Sequence, residues 1–295
     1  SVNGGGGNGK NSNGGDQKSN KVSVSLDSFH LNRVLGKGAF AKVLLVQKED
    51  SGTMYAMKVL KKHHVARKNQ IEHTRTERRI LAKVQHPFIC LLRYAFQTKK
   101  KLYLVLDYHP GGELFYHLSR RGRFREKEAK FFIAEITSAL EYLHDHNICY
   151  RDLKPENFLL ATPLLPNRNP ETDKFPTIKL ADFGLGAGIS ATRSSFNQLS
   201  GVVGTVFYIA PEIFTGTYGL ECDMWSLGVI FHILLSGNFP FDGNNVKEVA
   251  RKICKVNLEF ASDVWPSVSN DAKSLISNLL NRDKVERWTA QEALE

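Results

Sequence analysis

The sequence predicts an α+β chain in two lobes: a five-stranded antiparallel sheet with one main helix, then a mainly helical lobe. Three observations carry this. Short β-rich runs with turn residues between them fill most of residues 29–107. Apolar residues at helical spacing dominate after Gly111-Gly112. The change of period falls near Asp107–Pro110, where a proline and two glycines break the pattern.

Residues 1–25 are rich in Gly, Asn, Ser and Lys. Such a stretch has too little apolar surface to fold, so a disordered tail is expected. Strands are expected over Phe29–Leu35, Lys42–Gln47 and Met54–Leu60, with Asp50-Ser51-Gly52 as a turn. One helix is expected over Gln70–Val84, then strands over Leu91–Gln97 and Leu102–Leu106. In the second lobe, Ala129, Phe132, Ile133, Ile136, Leu140 and Leu143 repeat at helical spacing within Lys127–His146. Glu221–Leu235 is apolar on most faces, which predicts a buried helix. Further helices are expected over Val246–Cys254, Asn270–Leu280 and Thr289–Leu294. Ala161–Pro176 holds four prolines without an apolar period and reads as a loop.

The composition, 42% hydrophobic and 24% charged over 295 residues, is that of a globular chain. The longest apolar run, Leu227–Leu235, is too short to span a membrane. The N-terminus has no signal-peptide core, so a cytoplasmic or nuclear location is expected. The widely spaced Cys90, Cys149, Cys222 and Cys254 read as reduced, packed thiols. A net charge of +10 admits nucleic acid, anionic membrane or phosphorylated partners. Much of the excess lies within Lys58–Arg79. No zinc-finger spacing, RNA-binding signature or aromatic-interleaved basic patch occurs, and no nucleic-acid partner is expected.

Three clusters carry chemistry. Leu35-Gly36-Lys37-Gly38-Ala39-Phe40-Ala41-Lys42-Val43 lies between two strands. Its glycines let backbone N–H groups approach phosphate, although a plain hairpin would use them equally well. A strand follows, which excludes the dinucleotide fingerprint. Lys58, in Tyr55-Ala56-Met57-Lys58, sits among apolar residues on a central strand, where an ammonium needs a partner. The following helix offers Glu77, and such a pair can hold Lys58 against the ATP α/β-phosphates. Taken alone, Lys58 could snorkel to solvent and Glu77 could be a solvated helix acid. In Cys149-Tyr150-Arg151-Asp152-Leu153-Lys154-Pro155-Glu156-Asn157, with Asp182-Phe183-Gly184 downstream, hard oxygen donors suit Mg²⁺. Asp152 can accept a hydroxyl proton, Lys154 can neutralise γ-phosphate charge, and Asn157 and Asp182 can hold the metal.

In type, order and spacing these clusters, with Ala210-Pro211-Glu212 after them, resemble the eukaryotic protein kinases over Phe29–Leu294. The resemblance implies the two-lobed kinase fold within 29–295: 29–107 as the N-lobe, 108–111 as the hinge and 112–295 as the C-lobe. It implies ATP and Mg²⁺ as cofactors. Gly36 and Gly38 resemble the phosphate-covering loop. Leu35, Val43, Ala56 and Leu159 look like the adenine sandwich. Leu106 matches the gatekeeper, and Asp107 and His109 lie where backbone groups would bond adenine. Asp152 looks like the catalytic base, and Asp223-Met224-Trp225 like the start of the helix that anchors the catalytic loop. Glu212 and Arg287 match a family ion pair.

Residues 29–157 resemble the AGC group, through Ala95-Phe96-Gln97-Thr98, Gly111–Leu118 and Tyr150-Arg151-Asp152. Tyr150 stands where most kinases carry His. Residues 158–295 look more like the calcium-dependent protein kinases, through Phe158–Thr162, Tyr208–Glu212 and Trp225–Ile230. Both resemblances imply protein substrates with Arg three residues before the acceptor, and Glu113 and Glu156 match the AGC acids that bind such a side chain. With Ile233 where some AGC kinases place a further acid, a weak preference at minus two is expected. Val202, Val206 and Ile209 would line an apolar pocket for the residue after the acceptor, and Thr205 favours Ser/Thr over Tyr.

Four departures bear on activity. Ala41 replaces the third loop glycine, and Ala161–Pro176 is an insertion expected behind the active site. Gly201 stands where AGC kinases carry the activating Thr, leaving Ser200 as the fallback phosphosite. No AGC-type tail or EF-hand loop occurs in these residues, so regulation by an upstream kinase or another partner is expected, with the basic Gln70–Val84 helix as a candidate surface. The rival to an active Ser/Thr kinase is a pseudokinase, a nucleotide-binding scaffold without turnover. A small-molecule kinase is disfavoured by Ala210-Pro211-Glu212 and the Glu113/Glu156 pair.

Overall fold

The computed structural model describes residues 24–37, 41–67, 71–164, 174–183, 187–188, 206–216 and 218–295. Strands β1 (Phe29–Lys37), β2 (Ala41–Lys48), β3 (Met54–Lys61), β4 (Leu92–Gln97) and β5 (Lys101–Asp107) form one antiparallel sheet in the order β1-β2-β3-β5-β4. Each lies within two residues of its expected bounds. Gly52, at φ +66°, turns the chain between β2 and β3 and donates to the Lys48 carbonyl at 2.8 Å. Side-chain alternation divides the sheet into two faces. Met57, Tyr103 and Val105 join Phe29 and Val46 in a small apolar cluster on the outer face. Val43, Ala56, Lys58 and Leu106 alternate with these and line a cleft on the other side.

The expected helix over Gln70–Val84 is shorter. Helix α1 (Lys62–Arg67) precedes it and α2 spans Ile71–Leu81. Six residues are too few to show a helical period, which is why α1 is invisible in the sequence. Beyond Leu81 the backbone still bonds helically, Ala82 to Arg78 at 3.0 Å and Val84 to Ile80 at 3.0 Å.

The second lobe is built from α3 (Leu114–Arg121), α4 (Glu126–Asp145), α5 (Glu221–Ser236), α6 (Val246–Lys255), α7 (Asn270–Leu279) and α8 (Ala290–Leu294). Short strands β6 (Ile148–Cys149), β7 (Phe158–Leu160), β8 (Ile178–Leu180) and β9 (Ala187–Gly188) pair as β6–β9 and β7–β8. Helix α5 is buried from Cys222 to Ser236, as its all-round apolar character predicts. The described parts of Ala161–Pro176 contain no helix or strand. Phe175, near the end of that insertion, packs its ring 5.0 Å from Phe131 on α4.

Two devices join the lobes and position the site. Residues 88–90 run beside β8: Leu180 donates to the Phe88 carbonyl at 2.8 Å and Cys90 to the Leu180 carbonyl at 2.9 Å. The connection after β5 is clamped to β7, with Gly111 donating to Leu160 at 3.0 Å and Leu160 to Gly112 at 2.9 Å. A Cβ on Gly111 would lie 2.3 Å from the Thr162 carbonyl oxygen, and Gly112 has φ +75°. The first glycine permits close approach and the second a left-handed turn. A single apolar core then runs from Leu60, Ile80 and Leu104 through Ile89 and Leu180 to α4 and α5.

Candidate active site

A cleft of about 720 Å³ lies between the sheet and the second lobe. That volume lies within the range of small-molecule and cofactor sites. Leu35, Gly36, Val43, Ala56, Leu106, Asp107, His109 and Leu159, all expected around a nucleotide, line it. So do Lys58, Glu77, Asn157, Asp182, Glu113 and Glu156. Gly38, Val202 and Thr205 lie outside the described residues, as do Ser200 and Gly201. Cys90 and Tyr116 also line the cleft, although nothing in the sequence singled them out.

The charged centre brings together residues remote in sequence. Strand β3 carries Lys58 into the cleft, where Nζ donates to Glu77 Oε1 at 2.6 Å and to Asp182 Oδ1 at 2.9 Å. Glu77 is 4% exposed on the inner side of α2. Burial alone would lower the Lys58 pKa, but the Glu77 and Asp182 carboxylates outweigh it and hold the ammonium above its usual range. The lysine is therefore a fixed positive charge facing the cleft.

Below it, the segment after β6 is shaped by a buried carboxylate from α5. Asp223, 0% exposed, accepts the backbone N–H groups of Tyr150 and Arg151, each at 2.8 Å, and contacts His144 Nε2 at 3.0 Å. These contacts hold Arg151 at φ +71°, a conformation costly for a residue with a Cβ and stable only when over-determined. Tyr150 is fully buried, with its ring edge-on to Phe183 at 5.1 Å. Its hydroxyl meets the Ala181 carbonyl and, at 3.0 Å, the Asp182 carbonyl. Tyrosine at this position thus reaches from the loop to the backbone that carries Asp182. Burial, with Asp182 and Asp152 nearby, keeps its phenol protonated well above the usual range.

Asp152 and Asn157 are held as a unit. Asn157 Nδ2 donates to the Asp152 carbonyl at 2.7 Å and to Asp152 Oδ2 at 3.1 Å. Its amide nitrogen is thereby fixed, leaving the amide oxygen as the group available to a cation. Lys154 Nζ donates to both Asp152 oxygens, at 2.9 and 2.7 Å. Asp182, in the left-handed region at φ +57°, is half exposed and presents its carboxylate to Lys58 and to the cleft. Asp182 and Asn157 together offer the hard oxygen donors that Mg²⁺ takes.

Polar groups at the cleft wall complete the arrangement. The Asp107 carboxylate is held off by a two-pronged pair with Arg93, at 2.7 and 2.9 Å. The Asp107 N–H donates to the Leu91 carbonyl at 3.1 Å, and its own carbonyl accepts from the weak Cys90 thiol at 3.5 Å. Burial, with Lys179 adding to it, pushes the His109 imidazole down to about 4, and its Nε2 is buried without a partner. Burial and then Asp107 raise the Cys90 thiol to about 12. Glu113 rises above the usual carboxylate range through burial and the Glu156 charge beside it. Glu156 Oε2 is itself buried without a partner. Val206 is half-buried and Ile209 buried, both packed with the core of the second lobe.

A second ion pair lies behind the site. Arg287, 3% exposed, grips Glu212 with two donors at 2.6 and 2.9 Å. It also donates to the Asn281 and Glu221 carbonyls at 2.9 and 2.8 Å and lies over the Trp225 ring. This pair ties the short turn after Ala210 to α5 and to the segment before α8.

Fold and cleft together define a two-lobed nucleotide-site architecture with a lysine–carboxylate centre. A model of the protein kinase domain matches residues 29–295, and the chain belongs to that family. Among its relatives are a RAC family serine/threonine-protein kinase homolog of Dictyostelium discoideum, 42% identical over 276 residues, and protein kinase 2 of the same organism, 43% identical over 269 residues. These alignments cover 93% and 91% of this chain and 58% and 52% of the relatives. The RAC-beta serine/threonine-protein kinase of Homo sapiens is 39% identical over 271 residues, covering 90% of the chain and 52% of the relative. The chain spans between about a third and three-fifths of the curated relatives it matches.

Proposed function

We propose that this chain transfers the ATP γ-phosphate to Ser or Thr hydroxyls of protein substrates, with Arg favoured three residues before the acceptor. One observation carries the phosphotransfer reading: Lys58, Glu77 and Asp182, from β3, α2 and the segment after β8, meet within hydrogen-bonding distance in a nucleotide-sized cleft. Little covalent chemistry is needed from the protein in such a transfer; positioning and charge stabilisation do most of it. Lys58 would hold the α/β-phosphates. Asp152 would accept the acceptor hydroxyl proton, and Lys154, already beside it, would turn its ammonium to the transferring phosphoryl group. Asp182 and Asn157 would hold Mg²⁺, which neutralises phosphate charge when bound. The Asp107 carbonyl and the His109 backbone would bond the adenine edge.

The Glu113/Glu156 pair supports the basic preference. Two carboxylates share one wall of the cleft, Glu113 raised in pKa by burial and by the Glu156 charge, and Glu156 with a buried, unpartnered oxygen. An arginine satisfies both with paired donors, and lysine does so less well. Motifs over 158–295 give the second lobe a calcium-dependent-kinase-like character, which fits this preference. The pseudokinase alternative draws no support from this geometry: Lys58, Glu77 and Asp182 meet in the cleft, and Asp152, Lys154 and Asn157 bond to one another beside it.

The test compares an Arg-x-x-Ser peptide with its minus-three Ala variant, using the parent chain and Glu156→Gln. The expected result is a loss of at least tenfold in kcat/KM on removing the peptide Arg, and a much smaller loss when Glu156→Gln is already present. Equal turnover of both peptides by the parent would refute the preference.

A further inference from the structure

The outer face of the five-stranded sheet, turned away from the cleft, carries a lysine array that phosphotransfer does not use. The register sets Lys37 opposite Lys42 and Lys61 opposite Lys101. Lys42 faces Val59, two residues from Lys61, so both like-charged pairs share one face. The β4–β5 turn adds Lys99 and Lys100. Thr98 closes that turn by donating to the Lys101 carbonyl at 2.9 Å, and the Lys62 N–H ties it to the end of β3 by donating to Lys100 at 3.0 Å.

All six of these lysines are exposed. The ion pairs of this lobe among the described residues are Lys48–Asp50, Lys58–Glu77, Lys58–Asp182, Glu72–Arg75 and Arg93–Asp107, and none includes them. Like charges set directly opposite one another weaken a sheet. Two such pairs on one face, with no acid between them, form a surface that gains from an anionic partner.

The kind of charge narrows the partner. The array is all lysine, with no arginine fork to grip a single phosphate or carboxylate by paired bonds. Lysine is a hydrated point charge, and a sheet face is broad and shallow. That combination matches a plane of many anionic headgroups better than one acidic side chain in a groove. We propose that this face of the sheet rests on anionic phospholipid membrane surfaces, leaving the cleft on the opposite side open to ATP and substrate.

The test is co-sedimentation of the whole chain with vesicles of phosphatidylcholine alone or mixed with phosphatidylserine. Binding is expected only to the mixed vesicles and should fall as salt rises. In the Lys42→Gln/Lys61→Gln/Lys100→Gln/Lys101→Gln variant, partition should weaken by about fivefold for each lysine neutralised. Unaltered partition in that variant would overturn the proposal, placing binding elsewhere in the chain. So would equal binding to neutral vesicles, or displacement from mixed vesicles by polyglutamate at equal charge, which would assign the face to an acidic protein. A second measurement guards against misfolding: Lys101→Glu, set opposite Lys61, should raise Tm, and a fall would contradict the repulsion on which the proposal rests. Neither readout requires turnover, so both remain decisive if the phosphotransfer reading fails.

Discussion

Lys58 shows how much chemistry one residue concentrates. Its ammonium is the only cation bonded to Glu77 among the described residues, and Glu77 is almost fully buried. Lys58→Met should lower phosphate transfer at least a hundredfold, because a fixed charge facing the phosphates is lost. It should also destabilise the fold, since removing one partner of a buried pair strands the other. The loss in Tm should be larger at pH 8 than at pH 5, where protonation can neutralise Glu77; a pH-independent loss would contradict the ion-pair account. Glu135 offers a different titration. It is buried on α4, accepts the Ile178 N–H at 2.7 Å, and burial lifts its pKa to about 7 against the opposing Ile178 and Lys179 contacts. A carboxyl raised above its unfolded pKa favours the native state while protonated. Its contribution is complete below the unfolded pKa, near 4.5, and is lost as pH rises through about 7. Glu135→Gln keeps an acceptor for Ile178 and should raise stability at pH 8 by about 2 kcal/mol, with little change at pH 4. Denaturant unfolding at both values checks this.

Elements were legible where their period was long. The strands of the sheet and the long helices α4 and α5 declared themselves through alternation or apolar spacing. The short helices α1 and α3 did not, having few apolar positions to repeat, although the equally short α8 was expected over Thr289–Leu294. The catalytic segment was legible as chemistry, since Asp152, Lys154 and Asn157 lie within six residues, yet its shape depends on Asp223 from α5. Cys90 and Tyr116 joined the cleft without warning, because their place follows from how β4, α3 and the hinge pack. The Glu212–Arg287 pair ties separate elements of the second lobe through two short, buried bonds. Arg287→Ala should cost about 3–5 kcal/mol, because it removes one partner of a buried ion pair. The double variant Glu212→Gln/Arg287→Met should cost less than the single one in the same denaturant titration.

At the scale of the whole molecule, two lobes that fold by different rules meet along one cleft. The sheet supplies a fixed cation and an apolar roof, and the helical lobe supplies carboxylates, an amide and a second lysine. The hinge glycines and the strand-like contact at residues 88–90 set their distance. The order of the motifs along the sequence reflects this division of labour, with Lys58 and Glu77 in the first lobe and Asp152, Asn157 and Asp182 in the second. The lysine array was legible only as net charge; its register across β1, β2, β3 and β5 is a property of the folded sheet. The central claim, that this assembled cleft transfers phosphate, is tested most directly by measuring label transfer from γ-labelled ATP with Mg²⁺ to an Arg-x-x-Ser peptide, by the parent chain and by Asp182→Ala, with ATP binding followed in parallel. The account predicts transfer by the parent and a loss of at least a hundredfold in the variant. ATP binding without transfer by the parent would contradict it.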